Sequence, residues 1–509
     1  MTNMIPSTSL DKMFLGEETL LYHRLVVQFL LFIGVSLSIG ILFWIWYVDD
    51  FLGLPSGISL LVKSIITLTV CNDFLNMLGH LLLRHRVLKQ APSSFDNAKL
   101  IVQYVSRGQN IEVLMESARN AYEVLRQECS IDFEVRLVTE IPVIHNFDLS
   151  EISKYNFICV PEGFKTRNGS LYKARALEYA RITCDSVDNN RVWILYLDEE
   201  SILTRSAVRG VQEFISEDTN LDTFSQGLIT YTGRGTDVSS ITSATEIKRV
   251  GYNLGRYYLQ YAVLHDIYLG FQGSFFCAST RLVNQVTFDF GPEKSITEDL
   301  FFAFKAAACG FKCKWLEGYV REQAPESCID LLRQRRRWMK GLMEFLFSNE
   351  IALGRRLILF LMITLPGRLW VWGVVPFLVV LNSLVSDSGI NTFIQNHIIG
   401  SDYSGSYFSG LILPAFVFSV LLYFVLLLQS NFTIGLLYSV MDLDTTSRME
   451  RWKYVVRCCL VLPAAIFLEQ FASIYAMFSR ETGFAVIKKS VDTRKSLILS
   501  DSGSVDMNG

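Results

Sequence analysis

Hydrophobic and polar residues are distributed unevenly along the chain, which has strongly apolar ends and a mixed centre. Apolar runs of membrane-spanning length lie near both ends, whereas the centre alternates between short β-rich runs and amphipathic helical segments. We therefore predict an N-terminal region with two transmembrane helices (1–95), a cytosolic α/β domain that finishes with an interface helix (96–350), C-terminal transmembrane and interface helices (351–480), and a largely disordered cytosolic tail (481–509).

The apolar runs predict two membrane spans before the central domain and three after it. These spans are Leu25–Val48, Ser64–Leu83, Leu369–Val385, Tyr407–Gln429 and Tyr454–Phe478. Basic residues flank the first two spans on sides that should both face the cytosol, which places the central domain there. Three full C-terminal spans would leave the basic tail on the opposite side. We therefore expect the last span to be broken at Pro463, re-entering or forming an interfacial half-helix, and we expect Leu357–Leu365 to lie in the interface.

Strands and helices alternate in the central domain, which predicts a mainly parallel sheet. The predicted strands are Leu100–Val105, Phe133–Val138, Asn156–Val160, Val192–Asp198 and Gly227–Tyr231, and the predicted helices are Ile111–Arg126, Leu171–Tyr179, Ser206–Ile215 and Leu300–Ala308. Strands that end in polar residues before a helix indicate a ligand site along one sheet edge. The chain has no Gly-x-Gly-x-x-Gly motif and no Walker loop, which disfavours dinucleotide oxidoreductases and P-loop NTPases.

The apolar run that begins at Val192 ends abruptly in three carboxylates, Asp198-Glu199-Glu200. Parallel strands covered on both faces are continuously apolar in this way. Magnesium commonly uses one or two protein carboxylates together with phosphate oxygens of a substrate. The run therefore indicates a metal–diphosphate site at Asp198 and Glu200, although a strand followed by a solvated acidic turn explains this run by itself about equally well.

Three further motifs follow, and each has an ordinary structural explanation. The stretch Gly273–Ser279 is small and aromatic, which suits either a packed strand or turn or a ligand loop. Thr297-Glu298-Asp299 precedes a helix, where a Thr cap and two acids are stabilising. The basic stretch around Gln334–Trp338 suits a headgroup-facing patch. However, Gln334, Arg337 and Trp338 share one helical face, and a guanidinium suits diphosphate while an indole suits a sugar.

Composition narrows the class of protein further. The chain has 509 residues and a net charge of -3, which indicates no particular charged partner, and no nucleic-acid partner is expected. Its ten cysteines form no Cys-x-x-Cys pair, so free thiols in a reducing compartment are expected. Six histidines without a His-x-x-x-His pair argue against a zinc hydrolase.

In their order along the chain, these motifs resemble the membrane-integrated glycosyltransferases of family 2, which include cellulose, chitin and hyaluronan synthases. The family signature is a first acid, Asp-x-Asp, a Phe-Phe-Cys-like loop, Thr-Glu-Asp and Gln-x-x-Arg-Trp. Here the signature reads Glu140, Asp198-Glu199-Glu200, Phe275-Phe276-Cys277, Thr297-Glu298-Asp299 and Gln334-Arg335-Arg336-Arg337-Trp338. The resemblance implies an α/β GT-A domain, a Rossmann-like nucleotide-diphospho-sugar transferase fold, inserted between α-helical transmembrane segments.

Shorter motifs are similar to those of the egghead-type β-1,4-mannosyltransferases within this family. They are Ser106-Arg107-Gly108, Asn168-Gly169, Lys173-Ala174-Arg175-Ala176-Leu177, Leu197-Asp198-Glu199-Glu200 and Gln226-Gly227-Leu228-Ile229-Thr230-Tyr231. Those enzymes add one mannose from GDP-mannose to glucosylceramide. The chain departs from the synthases at Glu200, which replaces an aspartate, and at Ala278, which replaces a glycine of the priming loop. Glu140 has no second acid beside it.

The resemblance implies a role for each candidate residue. Asp299, with Glu298 and Arg337, would be catalytic, Asp299 acting as the general base. Nucleotide-sugar binding is implied for Arg107, Glu140, Lys173, Asp198 and Arg337, and Mg²⁺ or Mn²⁺ binding for Asp198 and Glu200. Acceptor binding is implied for Phe275, Phe276, Cys277, Gln334 and Trp338, with the Phe-Phe-Cys stretch lining the acceptor's path and Trp338 stacking on its sugar.

The implied activity is inverting transfer of one sugar, mannose from GDP-mannose, onto a glycolipid acceptor. The alternative is a processive synthase that polymerises a UDP-sugar and exports the polymer. A glycolipid acceptor and membrane lipid are the implied partners beside the nucleotide sugar. The implied location is an endoplasmic reticulum or Golgi membrane, with the active site on the cytosolic side.

Overall fold

The structure is a computed structural model that describes residues 8–17, 36, 39–40, 56–89, 98–184, 191–218, 221–232, 239–361, 430–443 and 447–478. The spans predicted at Leu369–Val385 and Tyr407–Gln429, nearly all of Leu25–Val48, and the predicted tail lie outside these residues. Helices occupy most of the two other predicted spans, as α2 (Ser56–Leu82) and α13 (Arg448–Phe478). Among the described residues, no helix combines the length and the apolar character needed to cross a bilayer.

The helices and strands of the central domain follow the predicted alternation. The strands are β1 (Lys99–Ser106), β2 (Asp132–Thr139), β3 (Tyr155–Cys159), β4 (Val192–Asp198), β5 (Ile202–Leu203), β6 (Thr223–Thr230), β7 (Phe276–Ser279) and β8 (Lys312–Arg321). The remaining helices are α1 (Ser9–Phe14), α3 (Ile111–Glu128), α4 (Leu149–Ile152), α5 (Tyr172–Ile182), α6 (Arg205–Glu217), α7 (Ser240–Tyr252), α8 (Thr280–Val286), α9 (Glu298–Ala308), α10 (Cys328–Phe347), α11 (Leu353–Leu359) and α12 (Ser430–Met441). A 3-10 turn covers Ile144–Asn146, and two π-helical segments, Asn253–Tyr257 and Leu259–Leu264, follow α7.

The eight strands form one mixed sheet in the order β3-β2-β1-β4-β7-β6-β8-β5. Strands β3, β2, β1 and β4 are parallel, and β6 is parallel to β8. Strand β7 runs antiparallel between β4 and β6, and β5 is antiparallel to β8. Strand β6 therefore runs in the same direction as β4, so six of the eight strands share one direction and the predicted mainly parallel sheet is confirmed, with β7 and the two-residue β5 as the exceptions. The segment Phe276–Ser279 returns through the sheet in the opposite direction, and sequence alternation alone does not report this.

Strand β4 shows why its sequence is continuously apolar. Trp193, Leu195 and Leu197 pack into one hydrophobic cluster, while Ile194 and Tyr196 pack into the cluster on the other face. Successive side chains of a strand point to opposite faces, so a strand covered on both sides needs an apolar residue at every position. The strand therefore stays buried until Asp198, where the chain leaves the sheet.

Glycine at position 227 is required by the packing of β6 against the loop before β7. A Cβ atom there would lie 2.2 Å from Cε1 of Phe275, so a larger residue would displace the buried ring. The strand also shifts register between Gly227 and Leu228. The observed strand begins at Thr223, four residues before the predicted start.

The C-terminal helices pack against the central domain. Ala244 and Ile247 of α7 share a buried cluster with Phe432 of α12 and with Cys458 and Leu462 of α13. The fully buried Asp442, just after α12, accepts a 2.6 Å hydrogen bond from Thr230 Oγ1 and lies 3.3 Å from Nε of Arg321. These contacts tie the C-terminal part to the ends of strands β6 and β8.

Two local expectations for the C-terminal part need correction. Helix α13 continues through Pro463, so the expected break there is wrong, and the 31-residue helix is continuous. Helix α11 begins at Leu353, earlier than the predicted interface helix Leu357–Leu365, and the residues after 361 lie outside the described part. None of the ten cysteines forms a disulfide with another in this structure.

Candidate active site

Three carboxylates converge where β4 and β8 end. Asp198 closes β4, Glu200 follows in the next turn, and Glu322 follows β8 directly. One carboxylate oxygen of each lies within 4.8 Å of the others. Burial and the negative charge of Asp198 raise the pKa of Glu322 to about 7. An all-oxygen set of this kind suits a hard divalent cation such as Mg²⁺ or Mn²⁺, which would relieve the repulsion between the acids.

Lysine 173 enters this site from the first turn of α5. Its Nζ donates to Oδ1 of Asp198 at 2.5 Å and to the carbonyl oxygen of Gly273 at 2.9 Å, and lies 3.8 Å from Oε1 of Glu298. Burial disfavours the charged amine, but the charges of Asp198 and Glu298 outweigh burial and raise the pKa of Lys173. The lysine is therefore a fixed cation among carboxylates.

Glu298 and Asp299 lie in the first turn of α9 and face the same site. Burial and the charge of Asp299 raise the pKa of Glu298 to about 8, and burial raises the pKa of Asp299 to about 6. Oδ1 of Asp299 also accepts a 2.8 Å hydrogen bond from the amide of Leu300. Thr297 is the N-cap residue, but its side chain makes no capping hydrogen bond. The acids are therefore placed by the helix start, and Asp299 is suited to exchange a proton near neutral pH.

Gly273 leaves room at the centre of the site. A Cβ atom at this position would lie 3.1 Å from Oδ2 of Asp299 and 3.2 Å from Nζ of Lys173. The loop that carries this glycine is held by Gln226, whose side-chain amide donates to the carbonyl of Gln272 at 2.7 Å. Gln226, from the Gln226–Gly227 motif of the sequence, thus holds this loop in place by a hydrogen bond.

Arg337 interacts electrostatically with the same group of acids. Burial lowers the pKa of its guanidinium, and the charges of Glu298, Asp198 and Asp299 oppose that shift. Arg337 and Lys173 are therefore two cations associated with one group of acids, as a site for a diphosphate requires.

The middle acid of the Asp198-Glu199-Glu200 run has a different partner. Glu199 accepts hydrogen bonds from the Ser106 hydroxyl through Oε2 and from Nδ2 of Asn110 at 2.5 Å through Oε1. The Ser106 oxygen in turn accepts from the amide of Gly108 at 2.8 Å. Glu199 thus fixes the loop after β1, which explains the Ser106-Arg107-Gly108 motif.

Glu140 lies at the end of β2 between two arginines. Nη2 of Arg175 donates to its Oε1 at 2.7 Å, and Nε of Arg107 lies 3.4 Å from its Oε2. The predicted nucleotide-binding residues Glu140 and Arg107 are thus brought together by the structure, with Arg175 as an additional member. Their role in binding a nucleotide stays a prediction.

The predicted acceptor residues fall into two groups. The side chains of Phe275, Phe276 and Cys277 are buried in the hydrophobic core, and the ring of Phe276 stacks on Tyr196 with centroids 4.4 Å apart. We expected these side chains to line the acceptor's path, whereas the structure uses them to pack β7 against β4. The packed-strand explanation of this stretch therefore describes their side chains better.

The second group, Gln334 and Trp338, lies on α10. Oε1 of Gln334 accepts a 2.6 Å hydrogen bond from Nη1 of Arg335. The guanidinium carbons of Arg335 and Arg249 each lie 4.5 Å from the centroid of a Trp338 ring. Part of the indole is thus covered by protein cations, and its contact with an acceptor stays a prediction.

Sequence reasoning missed Glu322, Glu246 and Arg249. Glu322 directly follows β8, at the same edge of the sheet where Asp198 ends β4, but β8 was not predicted because Lys314 and Glu317 interrupt its apolar pattern. The short run Tyr319-Val320-Arg321-Glu322 was the available signal for a strand that ends in an acid. Glu246 and Arg249 are charged residues of a helix and carry no motif.

A protein-family comparison identifies the family of the chain. The model of "Glycosyl transferase family group 2" matches residues 193–468, more than half of the chain. The chain therefore belongs to glycosyltransferase family 2, and its mixed α/β sheet is GT-A-like. The predicted family membership and the similarity to egghead-type enzymes are both confirmed.

Two curated relatives illustrate the similarity. The chain is 34% identical over 228 residues to beta-1,4-mannosyltransferase egh of Drosophila melanogaster, a match that covers 45% of this chain and 48% of that protein. It is 28% identical over 336 residues to beta-1,4-mannosyltransferase bre-3 of Caenorhabditis elegans, covering 66% of this chain and 67% of that protein. The chain thus matches about half the length of the fly relative.

Two solved structures are similar at low identity. Mannosyltransferase PcManGT from Pyrobaculum calidifontis, in complex with GDP-Man and Mn2+, matches with a TM-score of 0.43 and 13% identity, covering 82% of this chain and 100% of that chain. The S. aureus TarS 1-349 structure matches with a TM-score of 0.31 and 13% identity, covering 76% of this chain and 94% of that chain.

Proposed function

We propose that the chain is an inverting β-1,4-mannosyltransferase that moves one mannose from GDP-mannose onto a glycolipid such as glucosylceramide. The observation that carries this proposal is the meeting of Lys173, Asp198 and Asp299 at one sheet edge, with a cation, a candidate metal-binding acid and a candidate base in one half-buried site. The relatives named beta-1,4-mannosyltransferases in fly and worm support the choice of sugar and linkage.

Departure of the nucleoside diphosphate requires positive charge beside the phosphates. Lys173 and Arg337 supply two cations in a half-buried site, where they can stabilise the charge of the leaving diphosphate. Asp198, Glu200 and Glu322 would hold Mg²⁺ or Mn²⁺, which when bound would offset the charge of the diphosphate. Because Lys173 is bonded to Asp198 in this structure, donor binding would shift the lysine from the carboxylate towards the phosphates.

Asp299 is the proposed general base. It would take the proton of the acceptor hydroxyl as that oxygen attacks the anomeric carbon. The bond from that carbon to the diphosphate oxygen breaks in the same displacement, and the leaving group keeps the electron pair. A carboxyl with a pKa of about 6 is ionised at neutral pH and remains basic enough to accept the proton. One displacement from the opposite face inverts the configuration of the anomeric carbon.

We further propose that the reaction takes place at an endoplasmic reticulum or Golgi membrane, with the site facing the cytosol. The apolar runs of the sequence support a membrane location, as do large apolar side chains exposed along α13, among them Trp452, Leu460 and Phe467. A protease-protection assay on sealed microsomes, with a tag in the 96–350 domain, tests the side. A protected tag would contradict the cytosolic assignment.

The activity is tested with the full chain in detergent, supplied with Mn²⁺ or Mg²⁺, radiolabelled GDP-mannose and glucosylceramide. We expect one labelled mannose on the lipid, resolved by chromatography and linkage analysis. Parallel reactions with UDP-sugars serve as donor controls.

Two results would contradict the proposal. A ladder of long polymer from a UDP-sugar would establish the processive synthase instead. Retained binding of GDP-mannose with no transfer to any lipid would indicate a chain without this activity. A D299N preparation, run in parallel, controls for contaminating transferases.

A further inference from the structure

Trp338 is held by charged groups rather than by apolar neighbours alone. The guanidinium carbons of Arg249, on α7, and of Arg335, on the same helix as Trp338, each lie 4.5 Å from the centroid of an indole ring. Cation–π contacts are stronger where water is excluded, and Arg335 is buried. The orientation of the indole therefore depends on where these two guanidinium groups are held.

One buried carboxylate holds both guanidinium groups. Oε1 of Glu246 accepts from Nη2 of Arg335 at 2.7 Å, and its Oε2 accepts from Nη1 of Arg249 at 2.7 Å. Glu246 is 1% exposed. Burial disfavours its charge, but Arg249 and Arg335 outweigh burial and lower its pKa, so the carboxylate is ionised. Each oxygen has its own arginine, and the arrangement admits little movement of either.

This group lies between the metal-binding acids and the C-terminal helix. The guanidinium carbon of Arg249 lies 4.5 Å from the centroid of the Tyr231 ring. Burial raises the pKa of Glu322, and the positive charge of Arg249 partly offsets that rise. On the other side, Nε of Arg335 donates to Oε1 of Glu469, on α13, at 3.2 Å. The contacts thus connect α7, α10 and α13 around a single indole.

Stability alone is a weak explanation for such an arrangement. A buried ion pair pays a large desolvation penalty, and well-packed apolar residues often stabilise a core as well or better. Helices α7, α12 and α13 already share an apolar cluster that includes Ile247, Phe432 and Leu462. In addition to this packing, Glu246, Arg249 and Arg335 give the Trp338 ring a defined orientation.

We propose that Glu246 is a positioning residue for the acceptor, acting through Arg249 and Arg335 to set the orientation of Trp338. The inference rests on the proposed function, since it takes the uncovered part of the indole to contact the acceptor sugar. Glu469 extends the same contacts to α13, so the C-terminal helix contributes to acceptor placement.

The first test is E246Q in the full chain, with glucosylceramide and GDP-mannose varied separately. Glutamine keeps the volume but removes the charge, and one of its two terminal atoms no longer accepts a hydrogen bond. We expect KM for the acceptor to rise by about tenfold or more, while KM for the donor stays within about twofold. Equal changes in both KM values, or none in the acceptor KM, would overturn the inference.

Glu128 offers a matched control. It also pairs with two arginines, accepting from Nε of Arg205 at 2.7 Å and from Nε of Arg209 at 2.8 Å, and it lies on α3. E128Q therefore removes a comparable double ion pair that is not associated with Trp338. We expect E128Q to leave the acceptor KM unchanged.

A double-mutant cycle separates positioning from simple loss of stability. In a W338A background, E246Q should change the acceptor KM by less than about twofold, because the residue it acts through is gone. Independent, additive effects would overturn the inference and leave the proposed function intact. An unchanged acceptor KM in W338A itself would remove Trp338 from the acceptor site and overturn the inference, whereas only a failure of the parent chain to transfer mannose to the lipid would contradict the proposed function. If E246Q fails to fold, E469Q at the edge of the same contacts should raise the acceptor KM by about two- to fivefold, and no change there would overturn the inference.

Discussion

Nζ of Lys173 donates a 2.5 Å hydrogen bond to Oδ1 of Asp198, so the lysine already contacts a carboxylate that is expected to bind the metal ion. The lysine and a divalent cation therefore compete for the same negative charge while the donor is absent. Once a diphosphate is bound, both cations have phosphate oxygens to contact, and the competition should turn into cooperation.

Removing Lys173 should have opposite effects on metal and donor. We expect K173M without donor to bind Mn²⁺ several-fold more tightly, because the amine no longer competes with the metal ion for the Asp198 carboxylate. The kcat/KM for GDP-mannose should fall by roughly tenfold or more, since a cation beside the phosphates is lost. Mn²⁺ binding is measured by electron paramagnetic resonance and turnover by product formation. K99M, which removes an ion pair with Glu134 at 2.8 Å, is the control, and weaker Mn²⁺ binding by K173M would contradict the competition.

Asp299 is expected to be needed for chemistry but not for nucleotide binding. D299N should lower kcat by about 10²–10⁴-fold, the usual contribution of a general base, while GDP affinity by calorimetry changes little. Asp330 lies in the first turn of α10, as Asp299 lies in the first turn of α9, so D330N controls for the loss of a helix-terminal charge. Near-normal turnover by D299N would exclude Asp299 as the base.

The metal-free protein should become less stable as pH rises from about 6 to 8. The pKa of Glu298 is raised from 4.5 to about 8, so between these values the folded state binds more protons than the unfolded state. The contribution of protonated Glu298 to the free energy of unfolding is fully present below pH 4.5 and is lost as the pH rises through about 8. The free energy of unfolding falls by up to about 1.4 kcal/mol per pH unit for this one proton. Thermal unfolding in EDTA should show a flatter pH dependence for E298Q than for the parent. A melting temperature that rises over this range would contradict the assignment.

Glu322 should contribute to metal affinity although no motif marks it. We expect E322Q to weaken Mn²⁺ binding by roughly tenfold or more, with activity partly restored at high Mn²⁺, because one of three oxygen ligands loses its charge. Glu317 on the same strand pairs with His85 at 3.4 Å, and E317Q is the matched control. Unchanged Mn²⁺ dependence in E322Q would remove Glu322 from the site.

A methyl group at Gly273 should impair catalysis more than folding. The added Cβ would lie 3.1 Å from the Asp299 carboxylate and 3.2 Å from the Lys173 amine, within the space where reacting groups must approach. We expect G273A to lower kcat by about tenfold or more, since small displacements at reacting groups are costly. G163A adds the same atom where no other atom lies within 4 Å, and should behave like the parent. Equal activity of the two variants would show that the space at Gly273 is not used.

Much of the first half of the sheet was predictable from local pattern. Strands β1, β2 and β4 and helix α3 lie within two residues of their predicted ends, because strands and helices with buried faces leave a clear periodicity. Strand β8 was missed because Lys314 and Glu317 interrupt its apolar pattern. Strand β7 gave an ambiguous signal, since four small or aromatic residues suit a turn as well as a strand.

The sequence by itself determined the family and most of the acids, because five weak motifs in a fixed order rarely coincide by chance. Tertiary structure alone decided that β7 runs antiparallel between β4 and β6, which buries Phe275, Phe276 and Cys277 in the core. It also decided that Glu322 joins Asp198, and that Glu246 joins the two arginines around Trp338. Periodicity reports which side chains are buried, but the partner of each buried group comes from a distant part of the chain and is set only when the strands and helices pack.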